Sequence, residues 1–139
     1  HKEYRRQRQM CIRDSGLGRA RVAELVSRYG SGAQALARGF AHEGDAPLRH
    51  APEYSAPEVR FLCRDTAVQH LADLVIRRTL LAIRGRMTAA LAAELAGIAA
   101  AELGWSPARR DAELQACITT LRDRHFVLFP VSISSPVTI

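Results

Sequence analysis

Apolar residues recur along much of this chain at helical spacing. Val22, Leu25, Val26 and Tyr29 stand at i, i+3, i+4 and i+7, which predicts a first helix over about Arg19 to Tyr29. Gly30 suits the left-handed position just past its end. A short second helix, roughly Ala33 to Arg38, offers Leu36. From Gly39 to Ser55 the chain is rich in Gly, Pro, His and acidic residues and reads as a loop. Ser55 then starts a third helix. Pro57 fits its first turn, and Ser55 with Glu58 three residues on matches a capping box. Val59, Leu62 and Cys63, with Phe61 beside them, give that helix a buried side.

A further segment, about Val68 to Arg78, presents Leu71, Leu74 and Val75. The pattern leaves open whether a break falls near Thr66. Gly85 punctuates the chain, and Thr88 caps an alanine-rich helix over about Ala89 to Leu103, with Leu91, Leu95 and Ile98 as its stripe. Gly104 ends it and Trp105 follows as an apolar anchor. Ser106-Pro107 opens the last helix, where Leu114, Cys117, Ile118 and Leu121 repeat the i, i+3, i+4, i+7 spacing. The expectation is an all-α protein: a single small bundle of five to six helices over residues 16–126. Residues 1–15 have neither periodicity and read as a disordered or foreign arm. The apolar, β-branched stretch 127–139, with two prolines, reads as an irregular tail.

Arg77 and Arg78 break the pattern. They interrupt an apolar run, and adjacent α-helical residues point about 100° apart. If Leu74, Val75, Ile76, Leu80 and Leu81 all face a core, at least one guanidinium lies at the apolar boundary. There it needs a carboxylate or carbonyl partner. Glu58, Asp65 and Asp73 are the candidates. Asp65 and Asp73 share a face only if the helix runs through Thr66.

Charge and cysteines narrow the picture further. The 139 residues suit one domain with a modest core. The net charge of +6 suggests nucleic acid, but Lys2, Arg5, Arg6, Arg8 and Arg13, against Glu3 and Asp14, supply half of it within residues 1–15. Elsewhere arginines and carboxylates are interspersed, as on an ordinary solvated surface. Cys11, Cys63 and Cys117 form no C-x-x-C pair, and the five histidines are scattered, so neither a disulfide framework nor a zinc site is expected. No run approaches the ~18–20 apolar residues of a membrane span, and nothing reads as a signal peptide. Gly16-Leu17-Gly18 is only part of a dinucleotide fingerprint, since Arg21 stands where the third glycine belongs. His70 reads as boundary packing. No catalytic, cofactor or metal residue can be assembled from spacing.

The ordered set Tyr29-Gly30-Ser31, Tyr54…Glu58-Val59, Leu71-Ala72-Asp73-Leu74…Arg77-Arg78-Thr79 and Leu103-Gly104-Trp105-Ser106 with Arg109-Arg110 and Glu113 resembles the C-terminal helical domain of FAD-dependent glycerol-3-phosphate dehydrogenases. Asp73…Arg77-Arg78-Thr79 is its sharpest element. The resemblance covers about Leu17 to Arg124, leaves residues 1–15 and the tail outside it, and departs from the family at Asp65-Thr66, where His-Glu is common.

It implies a fragment of an enzyme that oxidises sn-glycerol 3-phosphate to dihydroxyacetone phosphate. FAD takes the hydride and electrons pass to quinone at the cytoplasmic face of the inner membrane. FAD would be bound by the parent enzyme and not by this chain. The partners would be the FAD-binding and cap domains of that membrane-associated parent, with no nucleic acid. Glu58, Asp73, Arg77, Arg78, Thr79 and Trp105 are then expected to form a structural or interdomain clamp in a catalytically silent accessory domain. The alternative is a free-standing basic helical module that binds nucleic acid.

Overall fold

The protein is described by a computed structural model over residues 16–124 and 126. The expected arm at 1–15 and tail at 127–139 lie outside the described residues. Five α-helices account for most of the described chain, with no strand among those residues. They are α1 (Arg19–Tyr29), α2 (Ala33–His42), α3 (Ala56–Asp65), α4 (Ala89–Leu103) and α5 (Pro107–Asp123). The all-α expectation is met. The chain divides into two compact units, residues 1–47 and 48–139.

In the first unit α1 packs against α2 through a three-residue 3₁₀ turn, Gly30–Gly32. Val22, Leu25 and Val26 are buried, while Tyr29 is only half-buried. Gly30 has φ +58, a region where a side chain would be strained. The second helix runs four residues past the expected end. Its buried stripe is Ala33, Ala37 and Phe40, and Leu36 is half-buried. Two of those three residues are alanines, so the stripe carries little hydrophobic contrast in sequence, and Gly39 faces outward without breaking the helix. Arg21 and Asp45 close the unit with a two-pronged ion pair, Nε to Oδ2 at 2.8 Å and a second nitrogen to Oδ1 at 3.2 Å.

In the second unit α4 packs against both α3 and α5. Three serine or threonine caps start these helices as expected. Ser55 accepts from Glu58 N–H, Thr88 from Leu91 N–H and Ser106 from Arg109 N–H. On α4 the buried face is Leu91, Ala92, Leu95, Ala96 and Ala99, with Ile98 half-buried. The alanines, more than the expected Ile98, form the contact face and let neighbouring backbones approach. The loop before α3 is ordered. Leu48, Ala51 and Tyr54 are buried, and the Glu94 carboxylate of α4 accepts the N–H groups of Arg49 (2.7 Å) and His50 (3.0 Å).

The run from Tyr54 to Met87 is not one helix. α3 stops at Asp65, and Ala67 takes φ +59. The chain resumes at Leu71 and becomes π-helical over Asp73–Arg78. Asp65 and Asp73 therefore do not share a helical face. Beyond Arg78 a turn closes through Arg84 N–H to Leu80 C=O, Gly85 N–H to Ala82 C=O and Arg86 N–H to Leu81 C=O.

Candidate functional site

The strongest polar cluster lies where the start of the 71–78 segment meets α5. Arg109 and Glu113 stand at i and i+4 on α5, so both side chains fall on one face. That face turns inward: Glu113, Cys117 and Leu121 are buried, with Leu114 and Ile118 half-buried beside them. A carboxylate thus occupies a core position, and Glu113 is only 8% exposed. Its partners explain the burial. Oε1 accepts Leu71 N–H at 3.0 Å, and Oε2 lies 3.0 Å from both His70 Nδ1 and Arg109 Nε. Burial alone disfavours the charged form. Hydrogen bonds from His70, the Leu71 amide and Arg109 outweigh it and hold the carboxyl below its ordinary range.

Leu71 N–H is one of the amides that a helix start leaves without an internal partner. Glu113 satisfies it from another helix. Asp73 completes the cap by reaching back to the N–H groups of His70 (3.0 Å) and Gln69 (3.3 Å), the returning half of a capping box. Arg109 ties the corner together: it donates to Gln69 C=O at 3.0 Å and its guanidinium stands 5.0 Å from the Trp105 ring centroid. Trp105 is half-buried and anchors the α4–α5 turn.

The expected clamp residues are thus distributed over different jobs. Glu58 is fully buried within α3. Asp73 and Trp105 belong to the Glu113 corner. Thr79 is buried and finishes the segment, its hydroxyl donating to Val75 C=O at 2.9 Å, while Tyr54 Oη accepts Leu80 N–H at 3.1 Å. Arg77 and Arg78 are both exposed, and among the described residues neither makes an ion pair or side-chain hydrogen bond. The expected pairing with Glu58, Asp65 or Asp73 is not formed: Asp73 caps the segment and Asp65 pairs with Arg64. There are two physical reasons. The wider π turn separates adjacent residues by less than the α-helical angle, so both guanidiniums reach solvent. The apolar run also does not all face inward, since Ile76 is half-buried and Leu80 exposed.

A groove of about 450 Å³ runs beside this corner, lined by His70, Asp73, Ile76, Arg77, Cys117 and Arg124 among others. Its lining mixes both signs, Asp73 and Glu113 with His70, Arg77 and Arg124. Cys117 is buried there, and its thiol is held in the protonated form. Burial, with the Glu113 charge adding to it, pushes its thiol up to about 12. Cys63 is pushed up to about 11 by burial and then Glu102. Among the described residues no three His, Cys, Asp or Glu side chains converge to hold a metal ion, and no helix is long and apolar enough to cross a membrane.

Sequence reasoning placed Glu113 and Arg109 in the family pattern but gave them no role. Their i, i+4 spacing was the available signal. What Glu113 caps is visible only once the two segments meet.

A family described as the C-terminal domain of alpha-glycerophosphate oxidase matches residues 1–110. The match includes residues 1–15, which the resemblance drawn from sequence left outside, and it ends within the first turn of α5. No curated protein and no solved structure matches the chain. With 110 of its 139 residues covered, the chain belongs to that family, the C-terminal accessory domains of FAD-dependent oxidases.

Proposed function

We propose that this chain is the accessory domain of an enzyme oxidising sn-glycerol 3-phosphate to dihydroxyacetone phosphate, and that it is catalytically silent by itself. The observation that carries the reading is the family match over residues 1–110. FAD in the parent enzyme accepts the hydride, and quinone receives the electrons at the cytoplasmic face of the inner membrane. The FAD-binding and cap domains of that parent are the partners, and nucleic acid is not among them.

The chemistry of the described residues supports keeping FAD on the parent's other domains. A flavin dinucleotide needs backbone N–H groups at a strand–glycine turn–helix junction to hold its pyrophosphate. Gly16-Leu17-Gly18 lacks the third glycine of such a turn, since Arg21 stands in its place, and there is no strand among the described residues to build the junction. The hydrogen bonds of Glu113 are likewise made within the fold, to a helix start, to His70 and to Arg109, which supports a structural role for its carboxylate.

The test is direct. The purified chain is expected to carry no bound flavin by absorbance and to show no dye-linked oxidation of glycerol 3-phosphate. Expression of the longer reading frame that contains it should yield a yellow, active protein. Flavin retention and turnover by the isolated chain would sink the idea.

A further inference from the structure

Two large apolar side chains are exposed among the described residues, Ile83 at 68% and Leu80 at 41%, and both lie on the turn after the 71–78 segment. The turn is ordered. Three backbone hydrogen bonds close it, Tyr54 Oη holds Leu80 N–H, and Leu81 and Ala82 are buried beneath it at 2% exposure each. Hiding Leu81 and Ala82 leaves Leu80 and Ile83 pointing out. Arg77, Arg78 and Arg84 flank them. All three are exposed and make no side-chain ion pair or hydrogen bond among the described residues.

We propose that Arg77, Arg78, Leu80, Ile83 and Arg84 form the face by which this domain docks on the rest of its parent oxidase, against a carboxylate-rimmed apolar hollow. The inference rests on the accessory-domain reading. Several observations select this occupant. Arginine beside exposed aliphatic residues is the composition of interface centres, where a guanidinium meets carboxylates and the apolar residue fills a pocket. A second copy of this chain is disfavoured, because a two-fold contact would bring three cations against three. Nucleic acid would use the arginines and leave Ile83 without a role. A domain joined to its enzyme meets that enzyme at millimolar effective concentration, ahead of any lipid surface.

The experiment measures binding of the purified chain to an FAD-loaded alpha-glycerophosphate oxidase lacking its own C-terminal domain. Wild-type chain is expected to bind. Ile83→Asp should weaken binding at least tenfold with an unchanged melting temperature, because the site is exposed. Arg77→Glu with Arg78→Glu should also weaken it and flatten its salt dependence. Equal binding by wild type and both variants overturns the docking face and leaves the accessory-domain reading standing. No binding by wild type overturns that reading and the docking face with it. Vesicles of phosphatidylglycerol and a DNA duplex serve as competing probes. Ile83-dependent binding to either one in place of the oxidase also overturns the proposal.

Discussion

Glu113 shows how one buried charge is made tolerable. A carboxylate at a core position is costly unless it is hydrogen-bonded, and this one has three donors. Glu113→Ala should destabilise the second unit by about 2 kcal/mol, because the Leu71 amide is left buried without its acceptor. Glu113→Gln should cost less. Urea melts of both variants check this, and unchanged midpoints would refute the capping role. The lowered pKa sets a pH dependence of definite sign. The folded state holds the proton less tightly than the unfolded chain does. The stabilisation is therefore fully present above the ordinary carboxylate range and is lost as pH falls through and below it. Melting temperatures between pH 7 and pH 3 should fall more steeply in the wild type than in Glu113→Gln. Arg77 and Arg78 are the opposite case. Each single replacement by Met should shift stability by no more than about 0.5 kcal/mol, since neither side chain has a partner to orphan among the described residues. A loss of 2 kcal/mol in thermal melts would restore the clamp. In a Cys11→Ser background, Cys63 and Cys117 should resist a thiol reagent at pH 8 and react promptly in denaturant.

Helix boundaries were legible wherever a polar cap or a glycine imposed them. Ser55, Thr88 and Ser106 each satisfy an orphan amide by local chemistry, and Gly104 ends α4 at φ +72. The stretch from Thr66 to Thr79 was not legible. Its start is capped in part from α5, through Glu113, and its π turn leaves no mark in the apolar spacing. Ala67 adopts a left-handed conformation without being glycine. Opposite effects are expected at these two sites. Gly104→Ala should lower stability by about 1 kcal/mol through backbone strain alone, because an added Cβ meets nothing within 4 Å. Ala67→Gly should raise it by a few tenths, relief of strain exceeding the entropy of the freer unfolded chain. Differential scanning calorimetry of the pair checks both signs.

For the molecule as a whole, the sequence alone determined the helical class, most helix boundaries and the family, because these follow from local spacing, caps and the order of motifs. It also carried the pair Arg109 and Glu113. The division into two compact units, the meeting of Glu113 with Leu71 N–H and the release of Arg77 and Arg78 into solvent were decided by tertiary structure. The reason is that an amide left over at a helix start, or a guanidinium on a π turn, finds its partner or its solvent across the fold. Residues 42 positions apart, such as Leu71 and Glu113, leave no periodic trace of that choice.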